Sequence, residues 1–302
     1  MNFVPEAVVG GGMAGLLYSW VNGVPVFATG FSPPPLCSFL HDDPSSIALL
    51  RQLSIKPSPS SIMIGAVWNG EYHEWPSPPE AIAAYFKKTR MHEVEVTAFD
   101  SGKSNSSRSS LAPLPLVYTT LWQKLKLMGL LWEVDKVDLR RTIDGKLLLV
   151  GRHGHEWAID RVKLACPPEA VGISEEKADW PMTRNVYDVF EVSPSDSKRM
   201  VDVLYLCDSS IIPYRVSNLG SNMILVEHAM ESRGEYCPVE IIAQDVATCA
   251  VRTIRHLDRR SNFGFYQRKY ELPENVELVG RAATGLPLLT HHLYKQLVDA
   301  KQ

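Results

Sequence analysis

Apolar positions along the chain fall into short blocks that switch between strand-like and helix-like spacing. Ala7–Val9 is a continuous apolar run that leads directly into a glycine cluster, Gly10–Gly15, and a helix-compatible stretch, Leu16–Val21. A second apolar run, Val24–Ala28, reads as another strand, so a β-turn-α-β unit occupies about 25 residues. Gly30–Pro35 is turn punctuation, and Pro44–Leu53 reads as a short helix with proline in its first turn. Ile62–Trp68 and Glu71–Trp75 flank Asn69-Gly70, a strong hairpin signal. A helix is expected from Pro78 to Lys88, a Ser/Gly/Asn-rich surface loop over Asp100–Ser110, and an amphipathic helix over Val117–Leu127 that stops near Gly129.

From Leu131 the pattern turns β-rich. Leu131–Val134, Lys146–Val150, Trp157–Ile159 and Val162–Ala165 fit strands, with Asp144-Gly145 as a turn. Val186–Val192, Val201–Cys207, Tyr214–Ser217 and Met223–His228 suggest an antiparallel sheet. Ile241, Ile242, Val246, Ala250 and Ile254 share one face of a helix expected over Val239–His256. Val276–Val279 is a last strand and Leu289–Ala300 a terminal helix. The fold class that follows is α/β.

Composition narrows the class. With 302 residues, 45% hydrophobic and 22% charged, the chain can bury a large core as one large domain or two interlocked ones, and is neither low-complexity nor disordered. No apolar run reaches about 18 residues, so no membrane span or membrane partner is expected. The N-terminus lacks the basic and apolar regions of a secretory signal. A net charge of −3 argues against a molecule that is basic throughout, while leaving room for a local basic face. Cys37, Cys166, Cys207, Cys237 and Cys249 form no metal-ligand spacing and read as free thiols in a reducing cytoplasm. No metal site is expected.

The sharpest chemical signal is the turn Gly10-Gly11-Gly12-Met13-Ala14-Gly15, which fits GxGxxG between a strand and a helix. Gly10 permits the tight turn, Gly12 lets a pyrophosphate approach the backbone, and Gly15 lets helix and strand pack closely. The helix N-terminus then offers N–H groups to phosphate. The acidic residue expected at the end of the second strand, to hold a ribose hydroxyl, is absent. The strand ends in Ala28-Thr29-Gly30, and Thr29 offers a hydroxyl instead.

Elsewhere the chemistry is sparse. No nucleophile motif such as GxSxG occurs. His291 and His292 are adjacent and expected to point apart on a helix. With His153 and His155 they read as structural, and Trp68, Trp75, Trp122 and Trp132 as core or sheet residues. Lys87, Lys88 and Arg90 cluster at a helix end, where a solvated turn complements the dipole. Arg252, Arg255, Arg259, Arg260, Arg268 and Lys269 interleave with Phe263, Phe265, Tyr266 and Tyr270. Phosphate contacts with base stacking would suit DNA or a nucleotide-linked substrate. A helix face followed by a half-buried strand is the alternative.

GGGMAGL resembles the GGGxAGL opening of flavin-dependent amine oxidases, protoporphyrinogen oxidases and UDP-galactopyranose mutases. Asp160–Pro168 is similar to the strand by which that group returns to its nucleotide domain, and Val276–Arg281 to its late strand-Gly-Arg. Ile64–Gly70, Tyr85–Arg90 and Tyr214-Arg215-Val216 followed by Glu227 resemble short viral flavoproteins linked to thymidine hypermodification in bacteriophage DNA. The chain is much shorter than typical amine oxidases.

The resemblance implies a Rossmann-type FAD-binding domain from 1–60, 115–170 and 272–302, and an inserted antiparallel-sheet substrate region from 61–114 and 171–271. It implies noncovalent FAD held by Gly10, Gly11, Gly12, Met13, Ala14, Gly15, Thr29, Val134, Gly280 and Arg281, with Arg281 near the flavin diphosphate or ring edge and the following helix aimed at the flavin. For Arg281 a surface salt bridge is the alternative. The resembling segments assign Lys88, Arg90, Tyr214 and Arg215 to the substrate, an amino-acid-modified DNA or nucleotide-linked molecule, and the basic-aromatic stretch adds Arg259 and Arg260. The implied function is an amine-oxidase-type FAD oxidoreductase acting on an amino-acid substituent of thymidine, in the host cytoplasm. The alternatives are a mutase-like flavoenzyme on a nucleotide sugar and a redox-inactive nucleotide-binding scaffold.

Overall fold

The computed structural model describes residues 2–34, 38–74, 78–89, 107–142, 147–151, 154–172, 184–193, 201–229, 253–263, 272–280, 283 and 290–301. The chain divides into two compact units. Met1–Ser58, Leu111–Pro181 and Tyr266–Gln302 form the first; Pro59–Ser110 and Met182–Phe265 form the second.

The first unit opens with β1 (Asn2–Val9), α1 (Met13–Asn22), β2 (Val26–Ala28), β3 (Phe39–His41) and α2 (Pro44–Leu53). The second unit then contributes β4 (Ser60–Trp68), β5 (Glu71–Glu74) and α3 (Pro79–Thr89), and β6 (Ser107–Pro113) carries the chain back. Next come α4 (Leu114–Leu127), β7 (Leu131–Glu133), β8 (Val137–Arg141), β9 (Leu147–Gly151) and β10 (Glu156–Leu164). A second excursion supplies β11 (Arg184–Val192), β12 (Val203–Leu206), β13 (Arg215–Gly220), β14 (Met223–Ala229) and β15 (Thr253–Phe263). Finally β16 (Val276–Leu278) and α5 (Thr290–Asp299) close the first unit.

In the first unit β7, β2, β1, β10 and β16 lie side by side and parallel, while β9 and β8 continue antiparallel from the first half of β10. Val8, Val26 and Ala28 face a helical layer that includes Leu16, Leu49, Leu121 and Leu293. Val9, Phe27 and Leu164 face the opposite way, with Leu149, Trp157 and Ile159. Both faces of β1 and β2 are therefore covered, as a parallel sheet requires. The first strand feeds α1 toward β2 on one side and pairs β10 on the other. That reversal of strand order opens a crevice at the carboxyl ends of the strands, where open α/β sheets bind ligands.

The second unit is a sheet in the order β15-β11-β14-β13-β12-β4-β6, with β5 beside β4. It is antiparallel apart from the β12·β4 pair, which is parallel. Asn69 and Gly70 turn the β4–β5 hairpin with φ of 54° and 75°, the two positive values a type I′ turn needs.

Three expectations from sequence are corrected. Ser107–Ser110 is strand, not loop, because pairing with β4 satisfies its backbone whatever its side chains. Trp157–Ile159 and Val162–Ala165 are one strand, β10: Asp160-Arg161 interrupts the apolar pattern, but the backbone continues along β1, and Arg161 pairs with Glu6 at 3.2 Å. β8 went unrecognised. The helix expected to end at His256 is strand from Thr253 onward, held along nearly the whole of β11. Its part before that, like Arg252, lies outside the described residues.

Candidate functional site

The glycine turn sits at the carboxyl end of β1, in the crevice. Gly10 N donates to Phe27 O at 2.9 Å and Ala165 N to Val9 O at 2.8 Å, which fixes the turn between β2 and β10. Gly10 has φ of 122°, and a Cβ there would lie 2.9 Å from the Ala165 carbonyl carbon, so no larger residue fits. A Cβ on Gly15 would collide with the Gly10 carbonyl oxygen. Gly12 differs: its φ of −73° suits any residue, and a Cβ there meets nothing within 4 Å among the described residues. It faces open space at the N-cap of α1, where no side chain caps the helix and the first turn carries no acid. Met13 and Ala14 continue that first turn.

Other expected cofactor residues gather around this turn. Thr29 lies exposed just past β2. Val134 N donates to Ala28 O at 2.9 Å, which places Val134 at the same strand end. Gly280 follows β16 with φ of 67°, and a Cβ there would come within 2.6 Å of Ala14 Cβ, so the late strand ends directly against the first turn of α1. Arg281 lies outside the described residues.

The first turn of α5 also lies close by, since Leu293 borders the same Gly280 position at 3.9 Å. His291 and His292 do not point apart as expected: their rings are 4.2 Å apart, and His41 lies 5.7 Å from His291. Burial, with His292 beside it, holds the His291 imidazole down at about 4 despite nearby Asp43. Its Nδ1 is buried with no hydrogen-bond partner among the described residues.

In the second unit Arg215 on β13 meets Glu227 on β14, donating from Nε to Oε1 at 2.8 Å and again from Nη2. Glu227 is fully buried and Arg215 half-buried. Tyr85 of α3 lies 4.9 Å from Tyr205 and 6.3 Å from Tyr214, ring to ring. Burial holds the Tyr85 and Tyr214 hydroxyls well above their ordinary range, and the Tyr214 hydroxyl is buried without a partner among the described residues.

Lys88 is not a solvated helix end. Its Nζ donates to Leu206 O, Asp208 O and Pro213 O at 2.8, 2.8 and 2.7 Å, using all three protons to pin a turn of its own unit. Burial pulls it down to about 8, with Cys207 and Asp208 opposing. Cys207 is a buried free thiol raised to about 12 by burial, hence inert. Arg259 and Arg260 lie on β15, opposite Asp188 and Tyr187 of β11; Arg90 lies outside the described residues.

Sequence reasoning missed two clusters. Asp188, fully buried on β11, lies 3.1 Å from His228 Nε2 and 2.9 Å from His256 Nε2. The signal was a single acid, Asp188, at a core-facing position between Val186 and Phe190 of β11. The second cluster is aromatic. Tyr118 of α4 donates to Gly11 O at 2.7 Å and accepts from Ser32 N at 3.1 Å, tying the glycine turn to the segment after β2.

No protein-family model and no curated protein sequence matches this chain. Solved structures do. Aklavinone-11 hydroxylase, in a ternary complex with FAD and aklavinone, superposes with a TM-score of 0.58 at 16% identity over 94% of this chain; the match spans only 58% of the hydroxylase. Wild-type putrescine oxidase bound to putrescine gives 0.56 at 9% identity, covering 99% of this chain and 98% of the oxidase. The flavin-dependent monooxygenase PieE, with FAD and substrate, gives 0.54 at 16% identity over 93% of this chain and 53% of its own. The chain therefore has the fold of FAD-dependent oxidoreductases. Among the described residues no helix is long and apolar enough to cross a membrane.

Proposed function

We propose that this protein is an FAD-dependent oxidoreductase of the amine-oxidase type, acting on an amino-acid substituent, glycyl-like, of thymidine in bacteriophage DNA in the host cytoplasm. The observation that carries the flavin assignment is Gly12, an open backbone position at an uncapped helix N-terminus in the sheet crevice. Bound FAD supplies the hydride acceptor for oxidising a C–N bond. The protein's part is to bind and orient. Gly10–Gly15 seats the diphosphate without a side chain in the way. In the second unit half-buried Arg215, oriented by buried Glu227, offers a cation for the carboxylate of an amino acid. Tyr85, Tyr205 and Tyr214 supply aromatic walls beside that pair.

The purified protein is expected to be yellow, to release its flavin into the supernatant on acid precipitation, and to bleach anaerobically with glycyl-modified thymidine DNA, giving peroxide in air. Turnover of a nucleotide sugar only after dithionite reduction would replace this reading with the mutase. Colourless protein that takes up no flavin would replace it with the scaffold. For the DNA substrate, Arg259→Ala with Arg260→Ala should raise KM for duplex DNA and flatten its salt slope by about one or two, because each phosphate contact releases counterions. A free modified nucleoside should be affected little. Salt-independent DNA binding would reject the DNA substrate and leave the flavoenzyme standing.

A further inference from the structure

We infer that Phe31, rather than an acidic residue, holds the adenosine end of the dinucleotide, so that this site reads the base and not the ribose. The inference rests on the flavin reading above and adds a residue to it.

Dinucleotide folds place the adenosine at the end of the second strand, where a carboxylate normally binds the ribose hydroxyls. Here residues 26–34 contain no Asp or Glu. Two nearby carboxylates have partners of their own. Asp43 caps α2 by accepting from Ser45 N at 2.8 Å. Glu133, opposite Ala28 on β7, is held by Lys126 at 2.6 Å.

An aromatic shelf stands in that place. Phe31 lies two residues past Thr29, and its ring is 5.4 Å from both Tyr118 and Trp122, meeting each edge-on. Those two rings stack on each other in the core. They also touch the glycine turn. Tyr118 is bonded to Gly11 O, and Trp122 lies 3.3 Å from where a Gly11 Cβ would be. Phe31 is thus braced on buried rings one layer from the phosphate turn, yet it remains 49% exposed. Covering the exposed half of a ring already held in place removes apolar surface from water at little cost in side-chain order. A purine stacked on a braced ring supplies that cover without needing a hydrogen bond to ribose.

The test is rebinding of flavin to the stripped full-length protein, followed by fluorescence, with circular dichroism as a folding control. Phe31→Ala should weaken FAD at least about fivefold, the low end of base stacking. FMN, which lacks the adenosine, should bind unchanged, and Phe31→Tyr should retain FAD affinity. Equal FAD affinity in Phe31→Ala, or equal weakening of FAD and FMN, overturns the inference while flavin binding itself stands. ADP and 2′-deoxy-ADP should displace FAD within about twofold of each other. A clear preference for ADP would show that ribose is read after all, with Thr29 the nearest hydroxyl. A wild-type protein that binds no flavin removes the flavin reading, and this inference with it.

Discussion

Gly12 and Gly15 show how two residues of one motif serve different ends. Gly15 is required by the fold, since a methyl group there strikes the Gly10 carbonyl oxygen, whereas a Cβ on Gly12 meets nothing among the described residues. Gly12→Val should therefore fold normally and lose flavin, while Gly15→Ala should lose structure; absorbance at flavin wavelengths beside circular dichroism separates the two. A Gly12→Val protein that folds and stays yellow would remove the phosphate-turn assignment. Lys88 makes the opposite point. Lys88→Met leaves three carbonyls of the 206–213 turn without their donor, and should cost about 2–3 kcal/mol in urea unfolding. An unchanged midpoint would show that water replaces the ammonium.

At the scale of elements, local capping and long-range pairing both decide where structure begins and ends. Asp43 accepts from Ser45 N at the start of α2, with Pro44 in the first turn. Asp43→Ala should lower stability by about 1 kcal/mol, the usual worth of such a cap, read as a shift in thermal midpoint. Asp43→Asn keeps an acceptor and should recover most of the loss. The strand β15 owes its form to β11 instead. Its pairing from Arg184↔Phe263 to Val192↔Thr253 overrides a sequence whose apolar spacing suggests helix at its start.

For the molecule as a whole, acid should be destabilising in two stages. The folded state holds His291 near 4, below its ordinary 6.5. Between those values the unfolded chain binds a proton that the native state refuses, so stability falls as pH drops, by up to about 1.4 kcal/mol per pH unit from this group. Asp43 acts at lower pH. Burial opposes its ionisation, but the Ser45 hydrogen bonds outweigh it and hold the carboxyl below its ordinary value. Its contribution is present above the unfolded value and is lost as pH falls through the folded one. His291→Gln should flatten the first stage between pH 6.5 and 4, measured by urea unfolding at successive pH values. An unaltered slope would place the titration elsewhere.

The dinucleotide turn and the hairpin at Asn69-Gly70 were legible in the sequence because their constraints are local: consecutive residues must reach particular dihedrals or stay small, and only certain side chains comply. So were most strands and helices whose apolar period is unbroken. The sequence also showed that the ribose carboxylate is missing. It did not show what stands in its place, because Tyr118 reaches Gly11 across 107 positions and Phe31 gains its meaning only from the rings behind it. Lys88 looked like a solvated cation because its acceptors lie up to 125 residues away. Asp188 and its two histidines come from three different strands, so no spacing in the chain relates them. Where a residue's role depends on its neighbours along the backbone, sequence determined it; where it depends on which distant groups share its low-dielectric surroundings, the tertiary structure decided.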